Sequence, residues 1–290
     1  MRNIKSKSKG KKALMILAVI FAVILLLLLG AYLFVSLVVP LQFDVQTVKT
    51  AVAEQSDMSG MYVSWEPYEN ADLRLSGETQ TVGSDSFALT LPAVFTEATS
   101  PDVAESGTRT YMWRENDETL AAIIVSDPMY ALDAELSKEE KSYVASHKRS
   151  MLEYNILYGY AAKKAFGVTL KDQYSFDLVS NSLNLDKIAS DDVYAAYLAV
   201  SSVGIFKITG MSNTARAIYK IDTPQYNGFI YDYSKENDEF ADQLPKNTRM
   251  AMHAYTLDNR YFSYGISITA KNGALSEADI YAIFNSFQVK

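Results

Sequence analysis

Residues 13–39 read ALMILAVIFAVILLLLLGAYLFVSLVV, 27 consecutive positions without a charged side chain. The hydrocarbon core of a bilayer is about 30 Å thick, and a helix of roughly 20 apolar residues crosses it. Backbone groups cannot stay unpaired in lipid, so a segment of this kind must be helical. The stretch therefore predicts a transmembrane helix over residues 13–39, which makes the membrane a partner of the chain. A buried helix of a soluble protein is the alternative, but such helices seldom run this long without a charge.

The charges around this stretch predict its orientation. Six basic residues and no acidic one precede it: Arg2, Lys5, Lys7, Lys9, Lys11 and Lys12. Positive flanks stay in the cytoplasm, so residues 1–12 form a cytoplasmic basic tail and the C-terminal part lies outside. A cleaved signal peptide would have an apolar region of about 7–15 residues that ends at a small-x-small site. The nearest such site, Ala51 to Ala53, lies well beyond the stretch, so we expect an uncleaved, single-pass signal-anchor.

The composition of the outer part restricts its partners and its source. All 34 acidic residues follow the apolar stretch, and an acidic domain is a poor match for nucleic acid or anionic lipid. The chain has no cysteine, which excludes disulfides and a lipoprotein anchor, and it has no Asn-x-Ser/Thr sequon for glycosylation. These features predict a cell-membrane protein of a Gram-positive bacterium with an extracellular C-terminal domain.

Residues 40–77 are predicted to form a juxtamembrane stalk that contains a short helix over 41–55. Trp65 and Tyr68 in this segment suit either the headgroup level of the membrane or packing against the domain. Residues 78–290 are predicted to form one extracytoplasmic α+β domain, a length that suffices for a sizeable core.

Runs of β-branched and aromatic residues around turn signals predict antiparallel hairpins in this domain. The first pair of strands is expected at 79–82 and 87–92, and the second at 108–114 and 119–126. Strands at 217–221 and 229–233 flank a loop that contains Pro224 and Asn227-Gly228, a strong turn dipeptide. Strands at 249–256 and 261–269 flank Asp258-Asn259, and a two-residue turn there would place His253 opposite Tyr264.

Periodic apolar residues and capping patterns predict the helices. Ser137 with Glu140 starts a long helix that Gly167 ends. Thr169 with Asp172 starts a second helix that runs to about residue 181, and a third is expected at 191–202. Ser276 with Asp279 caps the last helix. The chain is therefore expected to form an antiparallel sheet of hairpins covered by amphipathic helices, an α+β fold that follows an N-terminal transmembrane helix.

Two segments resemble the PsbP-like fold. They are FALTLPAVF at residues 87–95 and the ending Ile280, Ile283, Phe284, Asn285, Ser286 and Phe287. This superfamily contains photosystem accessory proteins and bacterial DcrB-like lipoproteins, and the likeness covers about residues 78–290. Residues 167–210 depart from the family pattern as an insertion. The resemblance implies a binding or accessory module and supplies no site residue.

The sequence offers little chemistry that is visible locally. His147 and His253 fall on apolar faces, where packing explains them, and zinc would need both together with a carboxylate. The acidic run Asp232, Glu236, Asp238, Glu239 and Asp242 suits a solvated loop, with calcium binding as the alternative. Tyrosines cluster at 154–160 and 226–233, where core packing is favoured over an exposed binding platform. We therefore predict no catalytic, cofactor-binding or metal-binding residues and no cofactor.

These observations predict a membrane-anchored, extracytoplasmic binding or accessory protein of the bacterial envelope that is not an enzyme. Its expected partner is an envelope protein or a wall polymer. A sensor that acts through a membrane partner is one alternative, and a cell-wall hydrolase that uses Asp or Glu is another.

Overall fold

The structure, a computed structural model, confirms a mixed α+β fold with an apolar N-terminal helix. It describes residues 4–42, 44–53, 63–98, 108–128, 138, 141–142, 145–146, 156–184, 187–209, 215–233, 247–271 and 273–290. Its helices are α1 (Ile4–Leu33), α2 (Val39–Gln42), α3 (Val45–Ala53), α4 (Tyr158–Phe166), α5 (Gln173–Ser180), α6 (Val193–Thr209) and α7 (Glu277–Asn285). A π-helical turn, Phe34–Val38, joins α1 to α2.

The strands form two sheets. They are β1 (Glu66–Pro67), β2 (Thr79–Gly83), β3 (Phe87–Pro92), β4 (Thr96–Glu97), β5 (Thr108–Glu115), β6 (Glu118–Ser126), β7 (Ala217–Asp222), β8 (Tyr226–Asp232), β9 (Asn247–Thr256), β10 (Tyr264–Lys271) and β11 (Gln288–Val289). The large sheet has the order β1-β7-β8-β9-β10-β6-β5-β4, and the small one has β11-β3-β2. Every pairing is antiparallel except β1 with β7.

The main core lies between one face of the large sheet and a layer made of the small sheet and α7. Side chains alternate between the two faces of a strand, and β3 and β10 bury every second residue in this way. Met250, Met252 and Ala254 of β9 face this core together with Ile266 and Ile268 of β10. The opposite face of β8 and β9 carries a smaller aromatic core, which α5 contributes to.

The predicted register of the last hairpin is wrong by one residue. His253 lies opposite Gly265, and Tyr264 lies opposite Ala254. The connection is also longer than two residues, since it runs from Leu257 to Ser263. A shift of one residue exchanges the faces of a strand, so His253 lies on the opposite side of the sheet from Tyr264 and Ile266.

The predicted turn at Asn227-Gly228 is also wrong, because both residues lie inside β8. The turn is at Thr223 to Gln225 instead, where the Thr223 hydroxyl accepts hydrogen bonds from the backbone N–H groups of Gln225 and Tyr226. Gly228 is needed for close packing rather than for a turn. A Cβ atom there would lie 2.1 Å from the carbonyl oxygen of His253.

The helix predictions are confirmed in part. Gly167 ends α4 in the left-handed conformation, and Ser276 forms the predicted capping box with Asp279. Helix α5 is capped by Asp172 with Ser175 rather than by Thr169, and α6 continues seven residues beyond the predicted end at 202. Residues 139–140, 143–144 and 147–155 of the predicted long helix, His147 among them, lie outside the described residues, and α4 begins only at Tyr158 after a turn at 156–157.

The end of the apolar stretch packs against a helical lobe, which we define as α2, α3, α4, α6 and the residues that connect α5 to α6. Val35 and Val39 are 0% and 2% exposed, whereas most large side chains from Leu14 to Leu33 are 42–73% exposed. Pro40 cannot donate a backbone hydrogen bond, which favours a local change of helix geometry before it. The Ser36 hydroxyl donates to the carbonyl of Tyr32 at 2.5 Å within this irregular turn.

Residues 63–75, within the predicted stalk, pack against the domain, which is the second of the two alternatives for Trp65 and Tyr68. Strand β1 pairs with β7, and the Trp65 indole donates to the hydroxyl of Ser182 at 2.9 Å. The Tyr68 hydroxyl donates to the side-chain oxygen of Asn285 at 2.8 Å. Leu73 and Leu75 complete this contact with the main core.

Tyr68→Ala should therefore destabilise the domain. The change removes a half-buried ring and its hydrogen bond to Asn285, so the free energy of unfolding should fall by about 3 kcal/mol. The measurement is denaturant unfolding of the full chain in detergent, followed by the fluorescence of its two tryptophans. The control is Glu69→Ala, an exposed neighbour that should change stability by less than about 0.5 kcal/mol. Equal unfolding midpoints for the two variants would contradict the packed arrangement.

Candidate functional site

Helix α5 lies across β8 and β9 and defines the candidate site. The carboxylate of Asp172 accepts from the backbone N–H of Ser175 at 2.8 Å, so the start of the helix is fixed. The ring of Tyr174 stacks on Phe229 at 5.7 Å and meets Tyr255 edge-on at 5.7 Å. These aromatic contacts hold the polar face of α5 against the sheet.

A half-buried carboxylate network lies beneath α5. Asp177 accepts a hydrogen bond from the hydroxyl of Tyr255 at 2.5 Å and another from the side-chain amide of Gln173 at 2.7 Å. Burial raises the pKa of Asp177, while the hydrogen bond from Tyr255 and the nearby His253 oppose this shift. Burial also raises the pKa of Tyr255 well above its ordinary value, and the Asp177 carboxylate adds to that rise. Tyr255 therefore stays protonated and serves as a donor to Asp177.

His253 lies on the same sheet face, between this carboxylate and a second hydrogen-bonded pair. Its imidazole is 5.1 Å from the ring of Tyr231, whose hydroxyl accepts from the side-chain amide of Asn181 at 2.9 Å. Burial lowers the pKa of His253, and Asp177 opposes the shift. The imidazole is therefore neutral at neutral pH.

A surface depression of about 450 Å³ lies beside the start of α5. Its lining combines two cations, two carboxylates, an aromatic ring and an apolar side chain: Lys171, Arg260, Asp172, Asp258, Tyr261 and Leu257. Arg260 is held in place by a hydrogen bond to the side-chain oxygen of Asn227 at 2.8 Å and by the Tyr174 ring, 5.1 Å away. A surface of this mixed polarity can contact a polypeptide or a sugar polymer through both hydrogen bonds and ring stacking.

Carboxylates and imidazoles transfer protons in many enzymes. Here the two carboxylates of α5 accept hydrogen bonds from the protein itself. Asp177 is satisfied by Tyr255 and Gln173, and Asp172 caps α5. Within the described part of the chain, no group of three His, Cys, Asp or Glu side chains could hold a metal ion. The network therefore supports the α5 contact with the sheet, and the depression supplies the accessible surface.

The residues singled out from the sequence divide between this site and the core. His147 lies outside the described residues, whereas His253 lies beside Asp177. Tyr226 and Tyr231 are buried, which agrees with the core interpretation.

The side chain of Asp232 is fully buried in an ion pair with Arg216 at 2.7 Å, so it is not available to a calcium loop. The other four acidic residues of that run lie outside the described part.

Sequence reasoning missed Asp177, the centre of the network. Gln173, Asp177 and Asn181 follow one another at steps of four, which places them on one side of a helix. This polar stripe lies beside the apolar stripe of Tyr174 and Leu178. A carboxylate in that position was a usable signal, but identifying its partners Tyr255 and His253 required the β9 register.

Comparison with known proteins gives only distant structural likeness. No family model matches the chain, and no curated protein matches it. A glutamate-to-alanine mutant of the protein Mog1 has 13% identity over 73% of this chain and 96% of that chain, with a TM-score of 0.31. The Ran-binding protein Mog1p of Saccharomyces cerevisiae has 14% identity over 74% and 96%, also at 0.31.

A protein of Bacteroides thetaiotaomicron has 8% identity over 74% of this chain and 49% of that chain, with a TM-score of 0.28. TM-scores at this level carry no argument about function. The resemblance to the PsbP-like fold accordingly stays a prediction.

Tyr255→Phe should weaken the domain because it leaves the half-buried Asp177 carboxylate with one donor fewer. The expected loss in free energy of unfolding is about 1–3 kcal/mol. Tyr233→Phe is the matched control, since the described contacts of Tyr233 use its ring, which stacks on Tyr231 and lies 5.4 Å from Arg249. Equal losses for the two variants, measured by denaturant unfolding, would show that the Tyr255 hydroxyl contributes nothing to stability.

The stability of the domain should fall between about pH 7 and pH 5 because of His253. Its pKa is below the ordinary value of 6.5 in the folded chain, so the unfolded chain takes up the proton first as the pH falls. The contribution of His253 is complete above about pH 6.5 and is lost as the pH falls toward the folded-state pKa. Asp177 acts in the opposite sense, because its raised pKa favours proton uptake by the folded chain.

The parent protein for this measurement is the His147→Gln variant, in which His253 is the one remaining histidine. The measurement compares this parent with the same protein carrying His253→Gln as well. The parent should lose stability between pH 7 and pH 5, and His253→Gln should lose less. Parallel pH profiles for the two proteins would contradict a depressed pKa at His253.

Proposed function

We propose that the chain is a single-pass membrane protein whose extracytoplasmic domain binds an envelope protein or a wall polymer and has no catalytic activity of its own. Helix α1 is the anchor in this proposal, and the depression beside α5 is the binding site. The N-terminus lies in the cytoplasm, and the source is a Gram-positive bacterium.

The observation that carries the proposal is the exposure of the apolar helix. Among the described residues, one helix, Lys12–Gln42, is long and apolar enough to cross a membrane. Its large side chains contact little else, and Leu14 and Leu27 are 73% and 69% exposed. Transfer of such side chains from water to lipid is favourable by roughly 25 cal/mol for each Å² of apolar surface. A bilayer is the environment that this surface fits.

The depression beside α5 supports binding over hydrolysis. Paired carboxylates that act on a glycosidic bond must both be free to face the substrate. Of the two carboxylates in the lining, Asp172 already accepts the N-cap hydrogen bond of α5. Leu257, at 50% exposed, and Tyr261 add the apolar and aromatic surface that recognition of a polymer or a protein segment uses.

Protease added to intact cells should digest the domain and leave a small fragment of the anchor inside. The expected cleavage follows from the basic tail, which holds the N-terminus in the cytoplasm. Immunoblotting against tags at both ends reads the result, and disrupted cells provide the control for access. A protected C-terminal tag, or a mature chain that begins near Glu54, would contradict the anchored, N-in topology.

Leu257→Ser should weaken capture of envelope material by the full chain in detergent. Val94→Ser is the matched control, because Val94 is 51% exposed and lies outside the depression. Removal of one exposed apolar contact at a binding surface should lower affinity by about tenfold, or roughly 1.4 kcal/mol. The probes are purified peptidoglycan and purified wall polymer, tested by sedimentation. Equal capture by both variants would exclude the depression as the site for these polymers, and turnover of either polymer would favour the hydrolase alternative.

A further inference from the structure

Helix α6 has an unusual composition for a helix at the edge of a domain. Residues 193–206 contain no charged side chain, and the first charge is Lys207. One side of its first half is buried in the helical lobe: Ala195, Ala196, Leu198 and Ala199. A helix that is apolar on every side belongs either inside a protein or in contact with lipid.

The other side of this first half is only partly covered. Val193, Tyr194, Tyr197 and Val200 are half-buried or exposed, with Val200 at 39% exposed. At 100° for each residue, these four positions fall within about one third of the helix circumference. They form one continuous face, which we call the outer face of α6.

The outer face of α6 continues directly into the anchor helix. The ring of Tyr194 meets the ring of Tyr160 edge-on at 6.0 Å. Tyr160 in turn meets Tyr32 of α1 edge-on at 5.1 Å. The three tyrosines therefore form a row that runs from α1 across α4 to α6.

The position of Tyr32 along α1 sets the depth of this row. Each residue of a helix rises about 1.5 Å, so the distance from Ala13 to Tyr32 is roughly 29 Å. This distance matches the thickness of the hydrocarbon core, about 30 Å. With Ala13 at the cytoplasmic boundary, Tyr32 reaches the outer boundary, where tyrosine rings are favoured because they are apolar with a polar tip.

We propose that the outer face of α6 lies on the outer leaflet of the bilayer, so that lipid is the partner of the helical lobe and α6 is an interfacial helix beside the anchor. Tyr160 and Tyr194 lie at the headgroup level, and Val193 and Val200 contact the upper part of the acyl chains. The exposed Lys164, 5.7 Å from the ring centre of Tyr160, lies within reach of lipid phosphates. This inference rests on the proposed membrane insertion of α1.

The arrangement fixes the orientation of the whole domain. A domain joined to its anchor by a loose stalk would rotate freely above the membrane. Here Val35 and Val39 are buried in the lobe, and the lobe rests on lipid, so the α5 depression is held in one orientation relative to the bilayer.

The test uses the absence of cysteine from the chain. Val200→Cys is labelled with a fluorophore, and the full chain is reconstituted into phosphatidylcholine vesicles that carry bromine near the headgroup end of the acyl chains. Bromine quenches only fluorophores that reach it. Val94→Cys, exposed on the β part of the domain, is the aqueous control. Leu25→Cys in α1 reports insertion of the anchor. Its fluorescence is measured in vesicles whose lipids carry bromine near the methyl ends of the acyl chains.

Loss of fluorescence at Val200 in brominated vesicles, with none at Val94, would support the proposal. Quenching at Leu25 without quenching at Val200 would overturn it and leave the anchor intact. Absence of quenching at Leu25 would instead remove the proposed function and this inference together. Val193→Cys repeats the test if the first variant does not fold. The fluorophore at Val200 could also be shielded from solvent only while the protein is concentrated in the vesicles. If this shielding disappears when the protein is diluted in lipid, a second copy of the chain covers the face, and the proposal is overturned.

Discussion

Strand β9 packs against a different layer on each of its two faces, and the rest of the domain depends on this constraint. Met250, Met252 and Ala254 complete the main core, while Tyr255 belongs to the aromatic layer beneath α5 and the half-buried His253 lies beside Tyr231 on the same face. A strand that serves two layers has no tolerance for a register shift, because a shift of one residue would place an imidazole and a phenol among methionines. The close approach of β8 reinforces the register, since the space beside the carbonyl of His253 admits only a glycine.

Much of the fold follows from local patterns in the sequence. The β5–β6 hairpin, the C-terminal end of α4 and the cap of α7 were predictable because each depends on a few neighbouring residues. The failures concern positions where distant contacts decide. Asn227-Gly228 has the composition of a tight turn, yet Gly228 serves the packing of β8 on β9. The register of β10 on β9 is determined by packing against two cores. The residues of a turn dipeptide contain no information about that packing.

The candidate site was predictable only in part for the same reason. His253 was identified, but its environment was not, because Asp177 comes from a helix that lies far away in the sequence. The apolar N-terminal helix was the simplest feature to recognise, and the structure adds how its last turns join the domain. Val35 and Val39 belong to the core of the lobe, so the apolar stretch has an exposed part and a part that folds with the domain. The two parts meet at the π-helical turn before Pro40.

The large sheet ends in very short strands, and this feature bears on how copies of the protein behave when they meet side by side. Strand β1 consists of Glu66 and Pro67, and β4 of Thr96 and Glu97. A long, flat edge strand would offer its unpaired backbone to the same edge of a neighbour, which leads to aggregation. The proposed membrane anchor would make such side-by-side encounters frequent, because it confines all copies to two dimensions. Two-residue edges with an exposed glutamate, one of them followed by proline, let such collisions end without new strand pairing.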